Sequence, residues 1–164
     1  MKKIPDDLYQ IKLVVFDFDG VFTNNTVWVD EYGTESVRCS RSDGLGLKRL
    51  REIGIANWVL STEVNPVVTT RCKKLKIPVI QGCENKKVGI QEISEKVGVA
   101  LENTAFVGND INDIPVLEVV GFPIVVGDAL EEVLPYSIYQ TTRHGGEGAV
   151  REICDLIYRL RISK

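Results

Sequence analysis

The sequence predicts an α/β fold, an open, doubly wound and mainly parallel sheet, on three observations. Short apolar runs recur along the chain, each ends at a polar or glycine cluster, and stretches of helical period lie between them. Strands are expected at Ile11 to Phe16, Ile55 to Leu60, Val79 to Ile80, Thr104 to Val107 and Pro123 to Val126. The first helix is read over Asp43 to Ile53, where Leu45, Leu47, Leu50 and Ile53 recur. The second, Val67 to Leu75, follows Asn65-Pro66, which reads as a cap and a first helical residue. The third runs from Asn85 to Val97 with Val88, Ile90, Ile93 and Val97, and Gly98 stops it. A fourth, Glu147 to Leu160, closes the chain. This alternation is the Rossmann-like pattern, in which ligands bind beyond the carboxyl ends of the strands. One segment departs from it. Thr26 to Ser40 has β-branched and aromatic residues on either side of Asp30 to Gly33, which predicts a hairpin flap over the end of the first strand.

With 164 residues, 44% hydrophobic and 26% charged, the chain fits one domain over 1–164 with a core of its own. A net charge of -3 and a pI near 5.3 argue against nucleic acid and against an anionic membrane surface as partners. "MKKIPDDLYQIKL" has no apolar core and reads as no secretory signal, and no apolar run reaches membrane-spanning length. Cys39, Cys72, Cys83 and Cys154 are scattered without a zinc-like pair, which suggests reduced thiols and a cytoplasmic protein.

The chemistry is concentrated at strand ends. In "LVVFDFDGVFTNN" the first strand delivers Asp17 and Asp19, two apart, before Gly20. Two carboxylates so close repel unless a hard cation, most economically Mg²⁺, sits between them; alone, the pair is equally a solvated turn. The second strand stops at Ser61-Thr62, hydroxyls suited to a phosphate oxygen or to a helix cap. Lys86 opens the third helix, where ammonium and helix amino terminus could both face an anion. The fourth strand ends at "GNDIND", which returns oxygen ligands to the same edge. There Asp113 reads as a cap and Pro115 as a first-turn residue.

Together these features resemble the haloacid dehalogenase superfamily of phosphotransferases, from about Leu13 to Asp155. The resemblance implies Asp17 as the nucleophile that forms an aspartyl-phosphate and Asp19 as the general acid/base. It also implies Ser61, Thr62 and Lys86 as holders of the phosphoryl group. Asp17, Asp19 through its backbone carbonyl, and the Asn109-Asp110 corner would hold Mg²⁺. Within the superfamily, "DFDGVFT", "SDGLGL", "QGCENK" and "RHGGEGAVREICDL" are similar to the small phosphatases of keto-sugar-acid pathways, which have no cap domain. Members remove phosphate from 3-deoxy-manno-octulosonate 8-phosphate or from nine-carbon, sialic-acid-type analogues. A related domain is fused to some acylneuraminate cytidylyltransferases.

That closer likeness implies a homotetramer in which the hairpin packs and neighbouring subunits complete each site. It also implies a substrate-covering tail and final helix over 141–164, with Thr23 and Arg143 near the substrate. Eight-carbon enzymes have Thr-Gly-Arg after the second strand, where this chain has Ser61-Thr62-Glu63. Glu63 with Arg71 and Lys74 resembles the nine-carbon set, so a nonulosonate 9-phosphate phosphatase is expected. The alternatives are the octulosonate phosphatase and a weakly active or non-catalytic tetramerisation module that partners a cytidylyltransferase. The chain departs from the family at Asn109, where Gly-Asp-Asp is common; an amide oxygen can ligate Mg²⁺ but adds no charge, so weaker metal binding is expected.

Overall fold

The computed structural model describes residues 5 and 7–163. Residues 1–4, 6 and 164, which carry part of the "MKKIPDDLYQIKL" reading and the ends of the single-domain assignment, lie outside the described residues. In chain order the strands are β1 (Leu13–Phe16), β2 (Trp28–Val29), β3 (Glu35–Ser36), β4 (Ala56–Leu60), β5 (Val79–Ile80), β6 (Thr104–Gly108), β7 (Phe122–Val125) and β8 (Tyr139–Gln140). The helices are α1 (Ser42–Glu52), α2 (Val67–Leu75), α3 (Lys86–Val97), the short α4 (Ile114–Leu117) and α5 (Ala149–Ile162).

Six strands form one parallel sheet in the order β5-β4-β1-β6-β7-β8. The chain winds from β1 out to β5, then returns on the other side of β1 with β6. The switch point therefore lies at β1, where strand ends open a crevice. Register sets what meets there. Phe16 pairs with both Val59 and Val107, so Asp17 stands one residue before the level of Ser61 and Asn109.

Alternation along β1 divides the core. Val14 and Phe16 pack with α1, α2 and α5, while Leu13 and Val15 pack with α3 and α4. All four β1 residues are buried, which is why the strand reads as an unbroken apolar run. Asn85 caps α3 by accepting from Val88 N, and Gly98 ends it with φ at 70°. Pro66 occupies the capping position of α2, one residue later than the sequence reading, and Asn65 Oδ1 accepts from Val67 N at 3.0 Å. The final helix begins at Ala149, two residues after the expected start, because Gly148 adopts φ 99°. The sequence reading did not include β8, whereas α4 starts where Asp113 as cap and Pro115 in the first turn place it.

The hairpin pairs Trp28 with Ser36 and Val29 with Glu35. Asp30 holds its turn, accepting from Tyr32 N and Thr34 N at 2.9 Å each. Glu35 accepts from Asn65 Nδ2 at 3.0 Å and Arg38 pairs with Glu147 at 3.0 Å, which ties the hairpin to the rest of the chain. Its apolar residues stay open: Trp28 is 70% and Tyr32 85% exposed. The four cysteines form no disulfide, and no helix among the described residues is long and apolar enough to cross a membrane.

Candidate active site

At the carboxyl edge of the sheet a crevice of about 190 Å³ opens between the ends of β1, β4 and β6. Asp17 and Asp19 line it from β1, Ser61 and Thr62 from β4, and Asn109 and Asp110 from β6. Its remaining walls are Asn25 and Asn112.

Asp17 is buried, and Oδ1 accepts from Phe18 N at 2.7 Å and from Lys86 Nζ at 2.8 Å. The same ammonium donates to Asp113 Oδ1 at 2.7 Å. Lys86 thus stands behind Asp17, 1% exposed, with two of its three donors committed. Burial pushes Asp17 up to about 7, Asp113 adds to the shift, and Lys86 opposes it. Burial alone would lower Lys86, but Asp17 and Asp113 outweigh it and raise it. Removing one member of such a cluster leaves a buried uncompensated charge and costs about 3–5 kcal/mol.

The role of Asp113 escaped the sequence reading. Its carboxylate is fully buried; Oδ1 holds Lys86, and Oδ2 accepts from Asn109 N at 2.8 Å and Asp110 N at 3.2 Å. It therefore fixes the ammonium and the end of β6 at once. Asp113 also stands at the capping position of α4, as its sequence context predicts, while Asp110 caps the short 3-10 turn before it, its Oδ1 accepting from Ile111 N at 2.7 Å. A pointer was present in the second Asn-Asp pair, whose aspartate lies a single helical turn beyond the strand end.

Asp19 is raised by burial and by the charge of Glu63, against the hydroxyl of Thr23. Thr23 itself is sealed. Its Oγ1 accepts from Gly20 N at 3.1 Å and Asn25 N at 3.2 Å and lies 3.4 Å from Asp19 Oδ1. The structure makes it a support for Asp19 and gives it no surface for a substrate. Ser61 is buried, its Oγ accepting from Glu63 N at 3.1 Å. Glu63 Oε1 accepts from Val64 N and Asn65 N at 2.7 Å each, which holds its charge beside the crevice.

Three expected substrate contacts lie elsewhere. Arg71 donates to Ser40 O at 2.8 Å and, with Lys74 and Arg41, lines a separate groove behind the hairpin exit. The reason is the rotation of α2, whose buried face is Val68, Cys72 and Leu75. Arg143 lines a cleft of about 590 Å³ beside α5, with Arg151, Glu152 and Arg159. The tail glycines approach backbone of this same chain. A Cβ on Gly145 would stand 1.9 Å from Gly20 O, and one on Gly146 2.6 Å from Asn24 N. The tail therefore braces the loop that carries Asp19.

The donor set fits a hard cation. No three His, Cys, Asp or Glu side chains among the described residues surround one point, because the set is mixed. It would consist of the Asp17 carboxylate, the Asp19 carbonyl and an amide, all on residues that line the crevice. Asn109 Oδ1 is buried with no hydrogen-bond partner, an acceptor left open to a ligand. Its amide is pressed over Gly20, where a Cβ would come within 2.0 Å of Nδ2, so only glycine admits it. With Asp110 engaged in its cap, Asn109 is the better-placed oxygen.

Comparison with known proteins agrees with this geometry. A family model described as haloacid dehalogenase-like hydrolase matches residues 56–153. The 3-deoxy-D-manno-octulosonate 8-phosphate phosphatase KdsC of Escherichia coli is 35% identical over 148 residues, 90% of this chain and 79% of that protein. A HAD family hydrolase from Streptomyces avermitilis is 41% identical with a TM-score of 0.90, covering 98% of this chain and 92% of its own. The Moraxella catarrhalis 3-deoxy-D-manno-octulosonate 8-phosphate phosphatase was solved with magnesium ion, phosphate ion and a KDO molecule. It is 32% identical with a TM-score of 0.91, covering 98% of this chain and 95% of its own. On the sheet order, the strand-end carboxylates and these similarities, the chain belongs to the haloacid dehalogenase-like hydrolases, as a phosphatase-type member without a cap domain.

Proposed function

We propose that the chain is a Mg²⁺-dependent phosphatase of keto-sugar-acid phosphates, with a nine-carbon, sialic-acid-type nonulosonate 9-phosphate as substrate. The observation that carries the chemistry is the pair Asp17 and Asp19 on one polar crevice, with Lys86 behind Asp17 and the open oxygen of Asn109 beside it. When bound, Mg²⁺ offsets the negative charge of the phosphoryl oxygens and of Asp17. Asp17 attacks phosphorus as the bond from phosphorus to the sugar oxygen breaks, and the proton of Asp19 passes to that oxygen. Water then attacks the aspartyl-phosphate, giving its proton to Asp19, and releases phosphate and ionised Asp17. A raised Asp19 suits the acid half of this cycle. The third Lys86 donor, Ser61 and Thr62 are the donors for the phosphoryl oxygens.

The nine-carbon reading rests on Glu63, whose charge stands beside Asp19 and can accept from sugar hydroxyls. Arg71 and Lys74 suit the sugar-acid carboxylate but line another groove in their own protomer. They would serve a neighbour's crevice in a homotetramer, the hairpin at the contact. The eight-carbon reading is favoured instead by the activity of the relatives, which are octulosonate phosphatases.

Steady-state kinetics on both phosphates decide. Wild type should prefer the nonulosonate by tenfold or more, a gap of roughly 1.4 kcal/mol, and Glu63→Arg should erase that preference. The opposite preference in wild type establishes the octulosonate reading. Phosphate release from neither, with tetramers present, leaves the non-catalytic partner of a cytidylyltransferase.

A further inference from the structure

Asn25 is the exposed residue of the crevice rim that leads into the hairpin, and it holds a left-handed backbone at φ 62°, a conformation that glycine adopts without strain. Its backbone is pinned to the catalytic loop. Asn25 N donates at 3.2 Å to Thr23 Oγ1, the hydroxyl that also meets Gly20 N and lies 3.4 Å from Asp19 Oδ1. The side chain is thereby set at a fixed place relative to Asp19, and no hydrogen bond within the described residues occupies its carboxamide.

The depth of the crevice gives that amide a task. Asp17 and Ser61 lie buried at its base, and Asn25 is exposed on its rim. A phosphoryl group and a cation held at Asp17 and Ser61 occupy that base. The hydroxylated carbons that follow must leave past the rim. The carboxylates near them only accept, since Asp19 and Asp110 line the crevice and Glu63 and Glu35 act on Asp19. A carboxamide there can both donate to a hydroxyl and accept from it, with no charge of its own.

We propose that Asn25 is a substrate-binding residue that hydrogen-bonds the hydroxyl groups of the leaving group next to the phosphate. It selects polyhydroxylated phosphate esters over plain ones. The proposal rests on the phosphatase reading above and adds a residue to it.

The test is Asn25→Gly, which keeps the left-handed backbone without strain and removes only the carboxamide. It is paired with Asn25→Asp, which keeps the shape and replaces the amide donor by charge. The readout is the ratio of kcat/KM for whichever of the nonulosonate and octulosonate phosphates wild type prefers to kcat/KM for p-nitrophenyl phosphate, whose leaving group carries no aliphatic hydroxyl. Loss of one such hydrogen bond should lower that ratio roughly tenfold in Asn25→Gly, and further in Asn25→Asp. A ratio unchanged from wild type, or equal losses on both substrates, overturns the role of Asn25 alone. A wild type that does not distinguish the two substrates overturns the sugar-acid reading with it.

Discussion

Replacing Asn109 by aspartate tests the metal site directly, because the two residues have the same shape and differ by one charge. The buried charges around the crevice are Asp17 and Asp113, negative, and Lys86, positive, which leaves one net negative charge for a divalent ion. Asn109→Asp raises that to two. At an effective dielectric near 20, a unit charge and a divalent cation about 4 Å apart attract by roughly 8 kcal/mol. Desolvation and repulsion from the other carboxylates return most of this, so a net gain of about 1.4–2.8 kcal/mol is expected, roughly ten- to hundredfold in Kd. Without metal the sign reverses. Asn109 is only 7% exposed and its Oδ1 has no partner, so the new carboxylate should cost about 1–3 kcal/mol in the metal-free protein. The variant should melt below wild type in chelator and regain or exceed it in saturating Mg²⁺. Titration calorimetry with Mg²⁺ and melting curves with and without metal read both effects. Equal Mg²⁺ affinity in the two proteins, with equal metal-free stability, would refute the reasoning and move the ligand to Asp110.

Two further outcomes follow from buried groups away from the metal. Asp43 is 1% exposed with neither carboxylate oxygen hydrogen-bonded, and burial pushes it up to about 7 despite Arg71 and Arg151. Its folded value lies above the unfolded 3.8, so the native chain holds this proton longer. The associated stability is fully present below about pH 4 and drains away as pH rises toward about 7. Asp43→Asn should flatten this slope, with unfolding free energies from urea titrations that diverge from wild type by up to about 4 kcal/mol above pH 7; parallel profiles would refute it. Gly145→Ala places a methyl 1.9 Å from the backbone oxygen of Gly20. The tail must then lift off the Asp19 loop at a cost of about 2–3 kcal/mol, lowering Tm by on the order of 5–10 °C and reducing phosphate release. An unchanged Tm would show that the contact gives way freely.

The elements that were legible in the sequence are those whose cause is local. α3 was delimited by Asn85 and Gly98, and β1 by its unbroken apolar run, because capping and burial on both faces leave marks within a few residues. The short β8 left none, since two residues paired to β7 carry no periodicity. The site divides in the same way. Asp17, Asp19, Ser61 and Asn109 could be placed from strand ends alone, because parallel register brings strand ends to one edge. Asp113 could not, since its work is done on Lys86, 27 residues away in the chain. Locally it looks like one more helix cap. Arg71 and Lys74 share a face, as their spacing requires, but the direction of that face is set by which side of α2 meets the core.

That last displacement bears on how an anionic substrate could be held at all. The chain is negative overall, and within it the charges are segregated: Asp19 and Asp110 line the crevice with Glu63 and Glu35 beside it, while Arg41, Arg71 and Lys74 gather in another groove. A phosphorylated sugar acid brings a carboxylate as well as a phosphate. One protomer offers Lys86 for the phosphate, but among the described residues no basic side chain lines the crevice to meet the carboxylate. A second copy that laid its Arg71 and Lys74 across the crevice would supply the missing charge, and the exposed Trp28 and Tyr32 of the hairpin would become buried in the same contact. Mixing protomers separates this from a single-subunit site. Asp17→Asn protomers keep the basic pair and lack the nucleophile, whereas Arg71→Ala/Lys74→Ala protomers have the reverse. Activity restored on reassembling the two inactive proteins together requires that the nucleophile and the basic pair of one working site come from different chains. Sites built from one chain would stay dead in every mixture.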